Sequence, residues 1–589
     1  MKRKVFLAIL HAVLIISSRS DANMNVPDTV INVQLPARYF QLLEAGIPRI
    51  EKRLADEPGA TLATLESVDG WKHFPCAILA PAVLYAKKHK ANTHYGDKRM
   101  LALAQRMGDL LVTENEKGTY TPRHDSDWDT YLWLEAYRIL ETALSEEQRN
   151  SWKKAILENV ALLEPKLAKC LDYPWYTAPF IITSPNHYAI YASTMLVAAR
   201  VFNKPDWEEM ASRVLHRFVT EEQSIDGYWG EQSQLGPTTG YDYLTETQIA
   251  LYWEYTKDPM ALEALRKSTD FHKYYTYPDG TPVETINDRN RYWEVPRWGH
   301  FGFSNFPDGR RFAAFITGNL PADGGDMQSL GRIAQNALYY HEGKSAPIPQ
   351  DQSRYAHAMK ITAGIRKTGP WVVTYSGLMT PKSVLNNFFL DRQSNISVFN
   401  EQKGLIISGA NSKWQPELAT FNETIGTHLS NMPLNSRLQM SDTMDRLGVA
   451  YDVFFATLEV PPPSEHQLKL TVRTNYKWGE ATANLTLQLM LKPGQTLETG
   501  SGKTIVLGRD SITLNSKDLG GWIHHNGWKL QLPADAILKW PVFPYNPYTS
   551  GPEVDLARAI GTITIPFWSG MKERAGQEFP FVLEVDKNE

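Results

Sequence analysis

Asn186 and His187 stand side by side in ITSPNHYAIYAS, and Tyr241 and Tyr243 follow one or two helices later in GPTTGYDYLT. These residue types suit the removal of a weakly acidic proton beside a carboxylate. Amide donors and an imidazole can offset the carboxylate charge and steady an enolate-like intermediate. A tyrosine can take the neighbouring proton and return it to a departing oxygen when both lie on one face. Its phenol ordinarily titrates near about 10, so cationic surroundings must favour the phenolate. On a sugar this chemistry is β-elimination next to a uronic acid. The plainer reading is that Ser184-Pro185-Asn186 caps a helix and that the tyrosines pack a glycine-rich loop.

Other residues could complete such a site. Glu231, in WGEQSQ, could orient His187 or bind a sugar hydroxyl. The segment from Asn287 to Arg311 holds Arg289, Arg291 and Arg297 among Trp293 and Trp298, with His300 as a second candidate acid or base. Arginine presents a planar fork to carboxylate or sulfate, and indole faces stack on sugar rings. Trp128 and Trp229 are further candidates for lining sugar subsites, with Tyr243 as the fallback for Tyr241.

Two rival readings use the same surface. RHDSDWDTYLWL places Asp127 and Asp129 near a helix start, where a glycoside hydrolase could pair one of them with Glu231 as acid and base. A glycan-binding protein without catalysis would need only the aromatic and arginine-rich cleft.

The elements that must position these residues change character along the chain. Residues 38–345 carry apolar side chains at three- and four-residue steps between Pro-, Gly- and Asp-rich turns, which predicts many helices in series. No motif repeats at a fixed period, so a regular solenoid is disfavoured against an α/α toroid. SAPIPQDQS (345–353) reads as a linker. Beyond it come short β-rich runs such as WVVTYSGL, YDVFFATLEV and LKLTVRTNY, the pattern of an antiparallel β-sandwich. The expected division is residues 1–22 as a signal peptide, 23–345 as the helical domain and 354–589 as the β domain.

The signal reading rests on Lys2, Arg3 and Lys4, a short apolar run, and a small-residue cleavage site near Ala22. It predicts a secreted or periplasmic protein with no membrane anchor. The formal net charge of −4 argues against nucleic acid as a partner and leaves room for a local cationic cluster that binds an acidic polysaccharide. Cys76 and Cys170 are too few for a disulfide scaffold and read as small buried apolar residues, with pairing as the alternative. No metal-binding spacing is found, and neither metal nor cofactor is expected.

Together, SPNHY and the Asp226-Gly227…Glu231…Tyr241 stretch resemble the heparinase II/III-like and alginate-lyase group of polysaccharide lyases. The resemblance implies an incomplete α/α toroid followed by an antiparallel β-sandwich. It also implies that Asn186 and His187 bind the uronate carboxylate and that Tyr241 acts as base and acid. The chain departs from the group's pattern in its first β segment. RQSNISVFNEQKG lacks the H-x-H-x-D histidines of many relatives, so their structural zinc is not carried over.

Overall fold

The computed structural model describes residues 35–120, 127–169, 171, 185–230, 236–287, 299–318, 320–378, 393–409, 415–476, 482–545, 552, 554–566 and 576–586. The expected signal peptide and Cys170 lie outside these residues. The expected order of helices followed by antiparallel sheets is the one the chain forms.

The helices are α1 (Leu35–Asp56), α2 (Leu62–Glu66), α3 (Leu79–Ala86), α4 (Lys98–Glu116), α5 (Asp127–Leu140), α6 (Glu146–Ala161), α7 (Glu164–Ala168) and α8 (Pro185–Phe202). They continue as α9 (Pro205–Arg217), α10 (Thr239–Thr256), α11 (Pro259–Tyr274), α12 (His300–Phe303), α13 (Pro307–Thr317) and α14 (Met327–Tyr339). α3, α8 and α10 are buried along most of their length. A helix buried on nearly every side belongs to the inner layer of a helical array. α4, α6 and α9 keep a polar outer face.

Side-chain pairs fix the direction of the inner helices. Trp128, Tyr131 and Glu135 of α5 meet Arg332, Gln335 and Tyr339 of α14 in the same order. Trp128 meets His187 at the start of α8, and Tyr137 meets Phe202 at its end. Cys76, just before α3, lies against Gly331, while Lys87, just after α3, donates to the Leu338 carbonyl. Tyr255, at the end of α10, reaches both Glu135 and Tyr339. So α3, α5, α8, α10 and α14 all run the same way. Their N-termini gather at one rim. The outer helices α4 and α6 also run together, matched through Gln105–Gln148, Asp109–Trp152 and Asn115–Asn159.

The β part holds two antiparallel sheets. From edge to edge the first runs through Arg354–Ala358, Ala363–Thr368, Trp371–Ser376, Asn395–Asn400, Gly404–Ser408, Thr482–Leu489, Ile560–Pro566, Ile537–Val542 and Ile512–Leu514. The second runs through Thr504–Val506, Thr496–Thr499, Trp522–His525, Trp528–Gln531, Gln577–Val585, Gln467–Tyr476, Phe454–Val460, Asp445–Ala450 and Asn435–Gln439. Alternate residues of Phe454–Val460 and Gln577–Val585 turn inward, giving one shared apolar core between the sheets.

The first sheet is welded to the helices. Tyr228, Phe271, Tyr277 and Ile286 share a buried cluster with Ile365, Val372 and Phe399. Tyr277 Oη and Ser397 Oγ hydrogen bond at 2.7 Å, and the Gln393 amide donates to the Thr285 carbonyl. Glu284, fully buried, accepts from Ser408 Oγ and Gly409 N, both at 3.2 Å. Replacing Glu284 by Ala leaves those buried donors without an acceptor, which costs about 1–3 kcal/mol. A thermal melt of Glu284→Ala should show a clearly lowered Tm; an unchanged Tm would contradict the weld.

Candidate active site

The rim where the inner helices begin carries the residues singled out by type. Pro185 is the first residue of α8, so Asn186 lies inside the first turn and is not the cap. Its side chain is 3% exposed, and among the described residues neither amide atom has a hydrogen-bond partner. Leaving such a group unpaired in the interior costs about 1–3 kcal/mol. A buried amide with open donors and an open acceptor suits a ligand better than it suits the fold alone.

His187 is 7% exposed and its ring stacks 6.2 Å from Trp128, at 18° between planes. The Arg332 guanidinium also lies 5.8 Å from the Trp128 indole centroid. Arg332 is 2% exposed and donates to Gln335 Oε1 at 3.2 Å. Burial pulls its pKa down, opposed chiefly by Cys76, Tyr131 and Asp129. Tyr241 lies in the first turn of α10 and is half-buried, which leaves part of its side chain at the surface. Because α10 runs with α8 and α5, Tyr241 begins at the same rim. The positive ends of several helices converge there, and helix N-termini favour anions.

The first turn of α10 is held from beneath. Asp242 is fully buried, accepts the Trp229 backbone N–H at 2.6 Å, and has Oδ2 2.7 Å from His272 Nε2. The Tyr243 ring stacks on His272 at 3.8 Å between centroids. Burial raises the Asp242 carboxyl, and His272 works against that rise. One turn on, Glu246 is fully buried, and among the described residues neither carboxyl oxygen has a hydrogen-bond partner. Burial, then the Asp242 charge, push its carboxyl well above the usual range. It also explains two glycines: a Cβ on Gly299 or Gly302 would fall 2.1 or 1.8 Å from a Glu246 oxygen.

Several expected site residues are placed elsewhere. Tyr243 is fully buried against His272 and Phe303. Trp229 is 2% exposed, with its indole N–H on the Phe218 carbonyl at 2.8 Å. Neither offers a ring face to a sugar, because the base of α10 uses both as packing. His300 is also withdrawn. Phe301 N bonds Asn336 Oδ1 late in α14, and His300 Nδ1 sits 3.1 Å from Tyr39 Oη and 3.0 Å from Thr317 Oγ1. That is toward the end of α14 away from His187. Glu231, Arg289, Arg291, Arg297, Trp293 and Trp298 lie outside the described residues, as does the Asp127 side chain. Asp129 is buried, with Oδ1 taking the Cys76 thiol at 3.0 Å and 3.2 Å from His73 Nδ1. Cys76 is a buried free thiol.

The sequence reading overlooked Arg332, His73 and Gln328. Arg332 left one signal: it is a charged residue on the apolar stripe of MQSLGRIAQNALY. His73 left none, because its left-handed φ of 58° is a property of the turn before α3. Among the described residues no group of His, Cys, Asp and Glu could hold a metal ion, and no helix is long and apolar enough to cross a membrane.

No protein-family model matches the chain, and no curated protein matches it in sequence. In fold it is similar to heparinase III, with a TM-score of 0.49 at 12% identity over 95% of this chain and 93% of that one. It is likewise similar to the Streptomyces coelicolor A3 chondroitin AC lyase in complex with chondroitin sulphate, at 0.48 and 12% over 93% and 80%. A mutant of heparan sulfate lyase HepC from Pedobacter heparinus gives 0.47 and 11% over 88% and 76%. These are likenesses of architecture, and the residue roles below rest on the geometry of this chain.

A carboxyl whose pKa is raised by folding stabilises the protein below its unfolded pKa, and that contribution is lost as pH rises. Glu246→Gln removes the titration while keeping the shape. Its Tm relative to wild type should climb as pH rises above the ordinary glutamate pKa of about 4; a difference that stays flat with pH would contradict a neutral, buried Glu246.

Proposed function

We propose that the protein is a polysaccharide lyase that cleaves a uronic-acid-containing polysaccharide by β-elimination. The observation that carries this reading is the buried Asn186 amide, unpartnered among the described residues, beside His187 and on the same rim as Tyr241. The uronate carboxylate would lie against the Asn186 amide and the His187 imidazole. Both would stabilise the negative charge that moves onto it as the C5 proton leaves. Arg332 adds a positive charge beside Trp128. With the helix N-termini, it favours the phenolate of Tyr241.

Tyr241 would take the C5 proton and return it to the departing O4. The C5 electron pair becomes the C4–C5 double bond, so the new non-reducing end is unsaturated and no water is consumed. Trp128, with its indole at the rim, is the candidate platform for a sugar ring. Arg289, Arg291 and Arg297 remain candidate carboxylate or sulfate partners, Trp293 and Trp298 candidate platforms, and Glu231 a candidate hydroxyl partner. Export through an N-terminal signal belongs to the same reading. A hydrolase based on Asp129 is less well supported, since Asp129 is already engaged with Cys76 and His73 in the interior.

Tyr241→Phe should fold normally and lose elimination, read as ultraviolet absorbance of the unsaturated product. Asn186→Ala should lower kcat by about 10²–10³ through loss of a donor to the developing charge. Substantial turnover by Tyr241→Phe would remove the tyrosine from its role, and an unchanged kcat in Asn186→Ala would remove the carboxylate site.

A further inference from the structure

Two acids are buried beneath Tyr241. Asp242 is the next residue of α10 and Glu246 lies one turn further on, and both side chains are fully enclosed. A negative charge there would stand close to the phenol that must become a phenolate, and a like charge nearby opposes that ionisation. The two acids meet different surroundings. Glu246 faces Gly299, Gly302 and Ala250, has no hydrogen-bond partner among the described residues, and keeps its own proton because burial disfavours the charge. Asp242 has a basic partner: His272 Nε2 of α11 lies 2.7 Å from its Oδ2, while the Trp229 N–H donates to its Oδ1 at 2.6 Å.

His272 is itself fully buried among three aromatic rings. Tyr243 stacks on it at 3.8 Å between centroids, and Phe271 and Phe303 stand edgewise to it at 5.2 and 5.6 Å. Aromatic rings and a carboxylate at 2.7 Å both stabilise a proton on the imidazole. A buried carboxylate alone is strongly disfavoured, whereas an Asp–His pair that shares one proton carries no net charge. The other ionisable groups nearby leave that proton in place. The Tyr228 phenol, before α10, is pushed far up by burial and then by Asp226, and stays protonated. Lys273, next along α11, is turned to Asp270 and Asp308. His300 of α12 is turned to Tyr39 and Thr317, and His187 of α8 stacks on Trp128.

Resting on the elimination reading, we propose that His272 is a positioning residue for Tyr241: by holding a proton against Asp242 it keeps the first turn of α10 free of net buried charge, so that the Tyr241 phenol can give up its own proton. Arg332 and the helix N-termini at the rim then act on a phenol that no buried anion opposes.

The test reads the titration of Tyr241 in the full-length protein by NMR of labelled tyrosine ring carbons, the resonance being assigned by its loss in Tyr241→Phe. The acidic limb of kcat/KM for elimination is measured beside it. His272→Gln leaves Asp242 an amide donor and no shared proton. It should raise the Tyr241 midpoint, and the limb with it, by about one pH unit, which is about a tenfold loss of kcat/KM at a pH on the limb. Asp242→Asn keeps an oxygen for the Trp229 N–H and removes the charge, so the midpoint should stay at its wild-type value. The double variant should return that same value. A midpoint that His272→Gln leaves unmoved would reduce the pair to packing and overturn the proposal. A midpoint that Asp242→Asn lowers by about one unit would show that the pair already carries a charge, and would overturn it too. If His272→Gln does not fold, the Asp242→Asn midpoint decides alone. The expected shifts in a protein that gives no ultraviolet-absorbing product would uphold the charge balance under Tyr241 and sink the lyase reading.

Discussion

The shared direction of the five inner helices is the constraint on which the rest depends. Helices laid side by side in parallel gain nothing from their dipoles, so side chains must hold the alignment. At the C-terminal end that task falls to Glu135. Its buried carboxylate accepts from Tyr131 at 3.0 Å, Arg138 Nε at 2.8 Å and Tyr255 at 3.3 Å, and also from Tyr339. One acid therefore joins α5, α10 and α14. Burial and that charge push the Tyr339 phenol far up, so it stays a proton donor to Glu135. The consequence appears at the opposite rim, where the N-termini collect and present Asn186, His187 and Tyr241 together.

The β part contributes support at a distance. Asp226 accepts Lys360 N at 2.9 and 3.0 Å, pinning the turn that leads to Trp229 and then to Asp242. Gly227 in that turn has φ of 93°, and a Cβ there would fall 2.4 Å from the Lys267 carbonyl oxygen. The Asp-Gly pair is thus a device for bringing three elements together: the first sheet, α11 and the base of α10. Asp242 and His272 then lock the first turn of α10 that carries Tyr241. Removing the Asp242 carboxylate would leave the buried Trp229 N–H without its acceptor, at a cost of about 1–3 kcal/mol, beneath the turn that carries Tyr241.

Much of the architecture was legible in the sequence because its signals are periodic. The change from three- and four-residue apolar steps to alternating β runs near SAPIPQDQS separates helices from sheets. Asn186, His187 and Tyr241 were legible by type, since few residues combine amide, imidazole and phenol in a way that suits one reaction. What sequence could not supply was which aromatic faces outward. Tyr243 is separated from Tyr241 by one residue on a helix, yet it points into the core and Tyr241 does not. Trp229 and His300 are likewise packed into the interior, because burial is decided by tertiary packing. Arg332 and Gln328 reach the rim only because α14 returns beside α5, a contact between residues some two hundred positions apart.

The most direct test of the central claim is the mass of the oligosaccharides released from a defined uronate chain. Elimination divides the chain without adding water, so the fragment masses should sum to that of the parent, and one fragment should carry an unsaturated uronate. Fragments that together exceed the parent by one water would establish hydrolysis and contradict the account.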